Sequence, residues 1–548
     1  MRAPIVLVFF MVACGDDATT TDTRDTAADI DTVESDTVEG DTADTVAGDS
    51  VDTVGSDSVE GDTSEGDTSE GDTSEGDTRD TSDGDTRDSS EGDARDTSEG
   101  DTSASDTADV PNTAPSVRAV AIDPTPIPVG GPALSCQYQY TFDDAEEDAD
   151  RSTIAWLAGE TVVGEGQAFT AYLPDTAITC RVTPNDGEAA GTPVSSAAVT
   201  TPSLPAFTAG LVHNCVVLEG AVWCWGDNEY GQLGDGTNTP SNRPVAVTGL
   251  GSGVTAIAAG IHHTCAIQAG ALKCWGRNLL GQIGDGTTDN ALVPTQVVGL
   301  TSGVSAVAGG DRHTCAVHDG VFKCWGGNAN GALGDGSTNQ RLTPAVVQGL
   351  SGAPSAFGLG LNHTCAIDGG AVKCWGNNSD RQIGDGTTSP RVAPTGVQNL
   401  TSDVTALSVG ARHNCAIKGG ELFCWGYNVA GQVGDGTTTN AGTPVSIATG
   451  AVVVDAGYAH TCAVFDDAVH CWGDNGRGRL GDGTTTSRPS PVSVSGLTKN
   501  VAALFAGGYH TCAFHYSQLV CWGDNAIGQL GVGDNVVSYP TPITVPLD

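Results

Sequence analysis

Seven pairs of cysteines at a fixed interval constrain the fold of this 548-residue chain more than any other feature of its sequence. The two cysteines of each pair are nine positions apart, and successive pairs recur every 50 residues, with one interval of 47. The pairs are Cys215 and Cys224, Cys265 and Cys274, Cys315 and Cys324, Cys365 and Cys374, Cys415 and Cys424, Cys462 and Cys471, and Cys512 and Cys521. A fixed period of this size predicts a repeat array or a propeller.

Each cysteine pair is predicted to close a β-hairpin. In the second copy, two short segments flank the turn dipeptide Ala269-Gly270. With a two-residue turn, alternation along the ladder puts Cys265 directly opposite Cys274 at a non-hydrogen-bonded position, where the Cα atoms are about 4.5 Å apart. That distance is within the range of a disulfide. We therefore expect one cross-strand disulfide in every copy.

A recurring histidine, two residues before the first cysteine of each pair, offers zinc binding as an alternative. Two thiolates and an imidazole are zinc ligands, but no regular fourth ligand recurs, and no metal site or other cofactor is predicted. We expect these histidines to be structural hydrogen-bonding residues at the start of a strand. They are His213, His263, His313, His363, His413, His460 and His510.

Each copy contains four short apolar or alternating segments with Gly and Pro between them. This is the pattern of a propeller blade, and seven copies predict a closed ring of seven blades. A tryptophan follows the second cysteine of every pair, and we expect it to pack between blades rather than to stack on a ligand. These residues are Trp225, Trp275, Trp325, Trp375, Trp425, Trp472 and Trp522.

The recurring motifs Ala-Gly-x-x-His-Thr-Cys-Ala, Cys-Trp-Gly-x-Asn and Gly-Gln-Leu-Gly-Asp-Gly resemble the repeat of the regulator of chromosome condensation family. The resemblance covers residues 204–548, takes the cysteine-paired form of exported bacterial proteins, and implies a seven-bladed propeller. The founding member is an exchange factor for the GTPase Ran that uses an inserted wedge; the regular spacing here leaves no room for one. Segments such as Gly310 to Thr314 lack the tryptophans of the plant ultraviolet-B receptor. A bacterial secreted member of the family inhibits β-lactamases by laying one face of its propeller on the enzyme, and its compartment is the one that best fits this exported chain.

The N-terminus predicts export and lipid anchoring. Residues 1–14 combine Arg2 with an apolar run that is too short to span a bilayer, and they end at Cys14. This resembles a bacterial lipoprotein signal, in which the cysteine becomes the lipid-modified N-terminus. An ordinary signal peptide remains the alternative. We expect an exported protein of the bacterial cell envelope, lipid-anchored at the outer surface, with oxidised cysteines.

Residues 15–111 are predicted to be a disordered acidic tether. Residues 15–110 contain 33 Asp or Glu, four Arg and no aromatic residue, and they account for most of the net charge of −45. Such a segment cannot bury enough apolar surface to offset its chain entropy. Calcium binding through diffuse charge and O-glycosylation stay open as additional roles. The polyanionic chain excludes nucleic-acid binding by phosphate neutralisation.

Residues 112–203 are predicted to form a small β-sandwich that resembles immunoglobulin-like modules of bacterial surface proteins. Cys136 and Cys180 are expected to pair around Trp156. The acidic run 143–150 is interpreted as a solvated loop in preference to a calcium site. The predicted strands are 116–122, 133–140, 168–173, 177–182 and 194–200.

Two sets of positions vary among the seven copies: the pair after the glycine that ends the first strand, and the pair after Cys-Trp-Gly-x-Asn. If each set lies at corresponding corners of the blades, it forms a ring around one propeller face. Mixed Tyr, Arg and apolar residues there favour a recognition surface, with unconstrained loop drift as the alternative. The candidate residues are Tyr230, Leu280, Arg312, Asn362, Arg412, Tyr458 and Tyr509.

The sequence therefore predicts an all-β chain: a seven-bladed propeller preceded by a small β-sandwich and a long disordered acidic segment. No catalytic motif is found, and the recurring Asp of Gly-Asp-Gly is expected to serve turn geometry. We expect a non-enzymatic binding or scaffold protein whose partner is an unidentified protein or glycan. Membrane contact would come through the N-terminal lipid alone. The alternative is an extracellular carbohydrate-active enzyme with paired carboxylates in the propeller channel.

Overall fold

The computed structural model describes residues 114–123, 134–141, 150–169, 176–201, 203–516, 518–534 and 536–547. Predictions for the signal segment, Cys14 and the acidic tether lie outside these residues, as does nearly all of the run 143–150. The described part is built entirely of strands and their connections. It contains no helix long and apolar enough to span a membrane. The predicted all-β fold class is confirmed for this part of the chain.

The N-terminal described strands form two sheets packed face to face. One sheet has the order β1-β2-β5, and the other has the order β4-β3-β6-β7, with β8 also paired to β6. The strands are β1 Ser116–Asp123, β2 Leu134–Thr141, β3 Thr153–Ala158, β4 Thr161–Glu165, β5 Ala168–Phe169, β6 Ala177–Thr183, β7 Val194–Ser195 and β8 Val199–Thr200. A disulfide between Cys136 on β2 and Cys180 on β6 joins the sheets beside the buried Trp156. This is the predicted β-sandwich.

Strands β3 and β4 were not among the predicted strands. The sequence of β3, Thr-Ile-Ala-Trp-Leu-Ala, lacks the alternation of a half-buried strand, because the adjacent Trp156 and Leu157, which point to opposite faces of the sheet, are both buried. The predicted strand 194–200 is divided into β7 and β8.

The propeller consists of seven four-stranded antiparallel sheets, blades 1 to 7, each made of four consecutive strands. Blades 1 to 4 contain β9 Phe207–Ala209, β10 His213–Leu218, β11 Ala221–Gly226, β12 Ser241–Ala246; β13 Val254–Ala259, β14 His263–Gln268, β15 Ala271–Gly276, β16 Ala291–Gln296; β17 Val304–Gly309, β18 His313–His318, β19 Val321–Gly326, β20 Arg341–Val346; and β21 Ala356–Leu359, β22 His363–Asp368, β23 Ala371–Gly376, β24 Arg391–Gly396. Blades 5 to 7 contain β25 Val404–Val409, β26 His413–Lys418, β27 Glu421–Gly426, β28 Ala441–Thr449; β29 Val453–Ala456, β30 His460–Phe465, β31 Ala468–Gly473, β32 Arg488–Ser493; and β33 Val501–Ala506, β34 His510–His515, β35 Gln518–Asp524, β36 Ser538–Thr544.

The second and third strands of each blade form the predicted disulfide hairpin. In blade 2, Ala269 and Gly270 both have positive φ, as a type I′ turn requires. Cys265 lies opposite Cys274, and their Cα atoms are 4.0 Å apart. All seven hairpins carry the equivalent disulfide, with Cα separations of 4.0 to 4.1 Å. The predicted disulfide bonding is confirmed.

The tryptophans connect neighbouring blades. Trp275 of blade 2 is fully buried, and its indole Nε1 donates a hydrogen bond of 2.8 Å to the Gln232 carbonyl of blade 1. The same contact is made by the tryptophan of every blade. Apolar residues of adjacent sheets pack around each indole, so the core of the propeller lies between blades.

The outermost strand of every blade contains proline, which limits edge-to-edge pairing because proline has no backbone donor. These residues are Pro244, Pro294, Pro344, Pro394, Pro444, Pro491 and Pro542.

The ring closes without sharing a strand between the chain ends, a question that the sequence left open. Blade 1 and blade 7 each use four strands of their own. Side-chain and backbone hydrogen bonds join them: His510 Nε2 lies 2.9 Å from Asn214 Oδ1, and the Gly508 amide donates to the Gly210 carbonyl at 3.1 Å. Closure therefore depends on contacts of the same kind as those between other blades.

Candidate functional site

Two sets of loops share one end of the propeller. Because neighbouring strands are antiparallel, the loop after the first strand (the A–B loop) and the loop after the third strand (the C–D loop) lie at the same end of each sheet. We call this end the loop face. The opposite end, the turn face, carries the two-residue hairpin turns and the connections between blades. Both variable sets that the sequence singled out lie on the loop face.

A ring of histidine hydrogen bonds supports the loop face from below. His263 Nε2 lies 2.8 Å from Thr314 Oγ1 of the next blade, and that hydroxyl donates to the Gln282 carbonyl at 2.7 Å. The hydroxyl must therefore accept from His263, which carries its proton on Nε2. The equivalent histidine contact occurs at all seven blade junctions. These histidines have the structural role predicted for them.

Burial keeps the ring histidines neutral. Desolvation lowers the pKa of His263 from 6.5 to about 3, with a smaller contribution from nearby His262. The glycine before the A–B loop makes room for each imidazole, since a Cβ atom at Gly260 would collide with the His263 ring. The histidine, its partner in the next blade and this glycine thus form one unit.

The C–D loops share a frame built on a buried asparagine. Asn278 Nδ2 donates to Asp285 Oδ1 at 3.3 Å and to the Thr287 carbonyl at 3.2 Å, while Asn278 Oδ1 accepts from the Ile283 amide at 2.9 Å. Asp285 also accepts from the Thr287 amide at 2.9 Å. The recurring Asp of Gly-Asp-Gly therefore serves loop geometry, as predicted.

The first variable position of the A–B loops is directed into the protein. Leu211, Ile261, Leu361 and Ala411 are buried in one apolar cluster together with Val212 from a second position, and Tyr458 and Tyr509 pack against this cluster. Successive A–B loops also hydrogen-bond to one another, as the Leu361 amide does to the Ala411 carbonyl at 3.0 Å. The sequence interpretation treated both positions of each pair as surface; the first position is instead occupied mainly by packing residues that join the loops.

Four of the seven candidate residues lie on the loop face in blades 1 to 4. Tyr230 packs edge-on against His262, with ring centroids 5.1 Å apart, and the Arg277 guanidinium covers its ring. Arg312 is half-exposed and pairs with its neighbour Asp311 at 3.0 Å. The other two, Leu280 and Asn362, are half-buried.

The remaining three candidates, Arg412, Tyr458 and Tyr509, line one cavity of about 530 Å³ formed by loops of blades 5, 6 and 7. Its other lining residues are Ala411, Tyr427, Val429, Ala430, Ala459, Asp474, Arg477, Arg479 and Asp524.

Guanidinium groups cover two of the cavity's tyrosine rings. Arg412 lies 5.7 Å from the ring centre of Tyr427, and Arg479 lies 4.9 Å from that of Tyr509. Arg479 is almost fully buried and pairs with Asp474 at 2.9 Å.

Arg477 is the more exposed cation of the same C–D loop. It lies 3.9 Å from Asp524, at the outer limit of an ion pair, and its side chain is 53% exposed. Burial raises the pKa of Asp524, although Arg477 opposes that shift. The cavity thus combines aromatic surface with three cations and two carboxyl groups.

Four of these lining residues lie outside the two variable sets that the sequence singled out. Tyr427, Asp474 and Asp524 occupy the x of Cys-Trp-Gly-x-Asn, a position that also varies among the copies. Arg479 replaces a glutamine that five of the seven copies have at that point. These four residues could have been found by comparing the copies at the positions inside the recurring motifs as well as at the positions after them.

The innermost strands, all of them described, carry a single carboxylate, Asp455. Its oxygens accept hydrogen bonds from Ser408 Oγ at 3.1 Å and from the Ala506 amide at 2.7 Å, which links blades 5, 6 and 7. Burial raises its pKa to about 7. A channel glycosidase needs two facing carboxylates, so no observation favours that alternative. Within the described residues, no cluster of three or more His, Cys, Asp or Glu side chains is arranged to hold a metal.

Comparison with protein-family models establishes the family of the propeller. The model described as the regulator of chromosome condensation (RCC1) repeat matches residues 219–267, 270–317, 320–367, 370–417, 419–464 and 466–514, which together make up more than half of the chain. A second model of the same repeat matches residues 452–479. The chain belongs to the regulator of chromosome condensation repeat family. Each match starts near a hairpin turn and ends in the next blade, so one family repeat spans a blade junction.

Solved structures agree with this assignment at the level of the fold. Yeast RCC1 (Prp20) bound to Kap60 superposes with a TM-score of 0.54 and 19% identity, covering 63% of this chain and 85% of that one. Human WBSCR16 gives 0.53 and 20%, covering 60% and 94%. Prp20p from Saccharomyces cerevisiae, a protein with binding properties to Gsp1p and histones, gives 0.53 and 21%, covering 63% and 87%. No curated protein matches the chain.

Proposed function

We propose that this protein is a binding module, without catalytic activity, whose loop face recognises a partner protein. The observation that carries the proposal is the contrast between frame and tips on this face. Buried His, Asn and Trp contacts repeat in every blade, whereas the loop tips differ from blade to blade. Tyrosine and arginine, the residues most common at interaction hot spots, meet in the cavity of blades 5 to 7.

Exposed apolar residues on the same loop tips support a protein partner. Leu279, Val429 and Ile527 are exposed at the C–D loops of blades 2, 5 and 7. Aliphatic side chains on a face that also presents tyrosine and arginine are typical of protein interfaces. We expect the partner to cover several blades.

We further propose that the module acts outside the cell and is anchored by lipid. Eight disulfides indicate an oxidising, extracellular environment. The finer proposal, lipid modification at Cys14 with residues 15–111 as a spacer from the outer surface of a bacterial envelope, rests on sequence. Replacement Cys14→Ser should move the protein from the membrane to the soluble fraction; a variant that stays in the membrane would contradict it.

A matched pair of variants tests recognition by the loop face. Val429, on the loop face, is 60% exposed, and Val452, on the turn face, is 64% exposed. The full mature chain and its Val429→Asp and Val452→Asp variants would each capture bacterial surface and culture proteins, with every captured protein quantified. Because a buried charge without a partner is unfavourable in an interface, Val429→Asp should reduce capture of the partner at least about tenfold, while Val452→Asp leaves it unchanged.

The opposite pattern would overturn the proposal. Loss of capture with Val452→Asp alone would move the site to the turn face, and equal capture by both variants would remove the loop face of blade 5 from the interface. Capture that survives protease treatment of the sample but not glycosidase treatment would identify a glycan instead of a protein.

A further inference from the structure

We infer that the cavity between blades 5, 6 and 7 binds an acidic side chain of the partner protein, carried on an apolar segment. This inference rests on the proposed function and specifies the chemistry of one part of the interface. The hydrogen-bonded frame that the C–D loops share does not require the charged residues on which this inference rests.

Blade 6 departs from the common frame at the cavity. Five copies have glutamine at the equivalent position, and its side-chain oxygen accepts a backbone amide two residues earlier, as Gln432 does from Ala430 at 3.0 Å. Blade 6 has Arg479 there, whose side chain is only 4% exposed. Burying a guanidinium is costly unless it is paired, and Asp474 supplies the partner at 2.9 Å. The exchange of a neutral amide for this ion pair is not needed to close the loop, because the glutamine does so elsewhere.

The arrangement of charges favours an anionic ligand over a cationic one. Aromatic rings can hold a cation, but guanidinium groups of the protein already cover Tyr427 and Tyr509. An incoming lysine would meet these cations, together with Arg477. The two carboxyl groups of the lining, Asp474 and Asp524, already lie beside arginines.

Arg477 is the residue best placed to meet the incoming carboxylate. It is the most exposed arginine of the cavity, and its nearest carboxylate oxygen, on Asp524, is at the outer limit of an ion pair. A guanidinium offers two parallel donors to a carboxylate. The lining also includes Ala411, Val429 and Ala459, which provide apolar surface for residues on either side of the acid.

Three peptides that differ in one residue test the charge preference. The probes are N-acetyl-Leu-Glu-Leu-amide, its glutamine analogue and its lysine analogue, titrated against the full mature chain by ligand-observed NMR. The Glu peptide should bind at least about tenfold more tightly than the Gln peptide, since hydrogen bonds between charged groups are stronger than neutral ones. The Lys peptide should bind more weakly than either.

A matched arginine provides the control for position. Arg477→Gln should weaken binding of the Glu peptide about 10- to 100-fold, so that the protein no longer prefers the Glu peptide to the Gln peptide. Arg341→Gln should leave both unchanged, because Arg341 is also exposed (43%) next to the C–D loop of blade 3 but lies outside the cavity. Both side chains are at the surface, so neither change is expected to affect folding.

Equal binding of the Glu and Gln peptides, absence of binding by both at millimolar concentration, or equal effects of the two arginine variants would overturn the inference. Such a result would leave the proposed function standing if Val429→Asp still reduced capture of the partner. Loss of the proposed function would appear instead as capture that is indifferent to Val429→Asp, whatever the peptides do.

Discussion

At the scale of single residues, the seven buried histidines explain how identical copies become a ring. Each imidazole donates to a hydroxyl or amide oxygen of the next blade. For six of the histidines the partner lies about one repeat further along the chain, as Thr314 does for His263, and for His510 it is Asn214 of blade 1. The sequence indicates that these histidines are structural. It does not indicate that they bridge blades, because the partner threonine or asparagine also occurs in the same copy, directly after the histidine.

The neutral histidines predict a loss of stability in acid. In the folded protein, burial holds the pKa of His213, His263, His313, His413 and His510 at about 3, and the pKa of His363 at about 4. In the unfolded chain these groups take up protons below about 6.5. Their contribution is therefore fully present above pH 6.5, and the free energy of unfolding should fall by up to about 1.4 kcal/mol per pH unit for each histidine between pH 6.5 and about 3.

Urea unfolding of the oxidised protein from about pH 7.5 to about pH 5 measures this dependence. Asp455 acts in the opposite sense, since its pKa is raised to about 7 in the folded protein. Between pH 7 and 3.8 it offsets the contribution of about one histidine to the pH dependence of the free energy of unfolding. Replacement His263→Gln should reduce the slope by about 1.4 kcal/mol per pH unit. Stability that stays constant down to pH 5 would mean that the imidazoles are solvated.

At the scale of elements, the hairpin was predictable and the loop that follows the first strand was not. A two-residue turn fixes which residues are opposite each other, so the disulfide between Cys265 and Cys274 follows from spacing alone. The A–B loop has no such rule. Whether Ile261 or His262 is directed inward depends on how neighbouring loops pack around the ring, which the spacing of one copy does not specify.

Removing one hairpin disulfide should lower stability modestly and locally. Cys265→Val together with Cys274→Val replaces the disulfide by an apolar pair of similar volume. In the chain-entropy model a ten-residue loop is worth at most about 3 kcal/mol. Urea unfolding should show this loss, and the same change at Cys415 and Cys424 should match it, because both blades have two neighbours. A loss well above 3 kcal/mol, or a large difference between blades, would contradict the equivalence of the hairpins.

At the scale of the whole molecule, the sequence predicts seven blades but neither the closure of the ring nor its asymmetry. Closure uses His510 and Asn214, which are 296 positions apart, and no local pattern connects them. The cavity of blades 5 to 7 is lined by A–B and C–D loops of three consecutive blades, whose side chains meet only when these blades pack together. Arg412, Tyr458 and Tyr509 were found by their variation, whereas their convergence needed the structure.

Two equivalent asparagines isolate the effect of closure. Asn214 accepts from His510 and donates to the Gln529 carbonyl at 2.6 Å, joining the chain ends. Asn414 makes the same contacts between blades 4 and 5, donating to the Gln382 carbonyl at 2.7 Å. Replacement of either by Ala leaves buried polar groups unsatisfied and should cost about 1 to 3 kcal/mol.

Only Asn214→Ala should also open the ring, because no peptide links blade 7 to blade 1. Hydrogen exchange should then accelerate in residues 207–246 and 501–544 for Asn214→Ala and stay slow there for Asn414→Ala. Equal exchange in the two variants would show that the covalent link does not distinguish these junctions.

The measurement that tests the central claim most directly is the hydrogen-exchange footprint of the captured partner on the full mature chain. Recognition by the loop face predicts slower exchange in the A–B and C–D loops of blades 5 to 7, at residues 410–412, 427–440, 457–459, 474–487, 507–509 and 524–534, with the hairpin turns of the same blades unchanged. Protection confined to the turn face or to residues 114–201 would contradict the account.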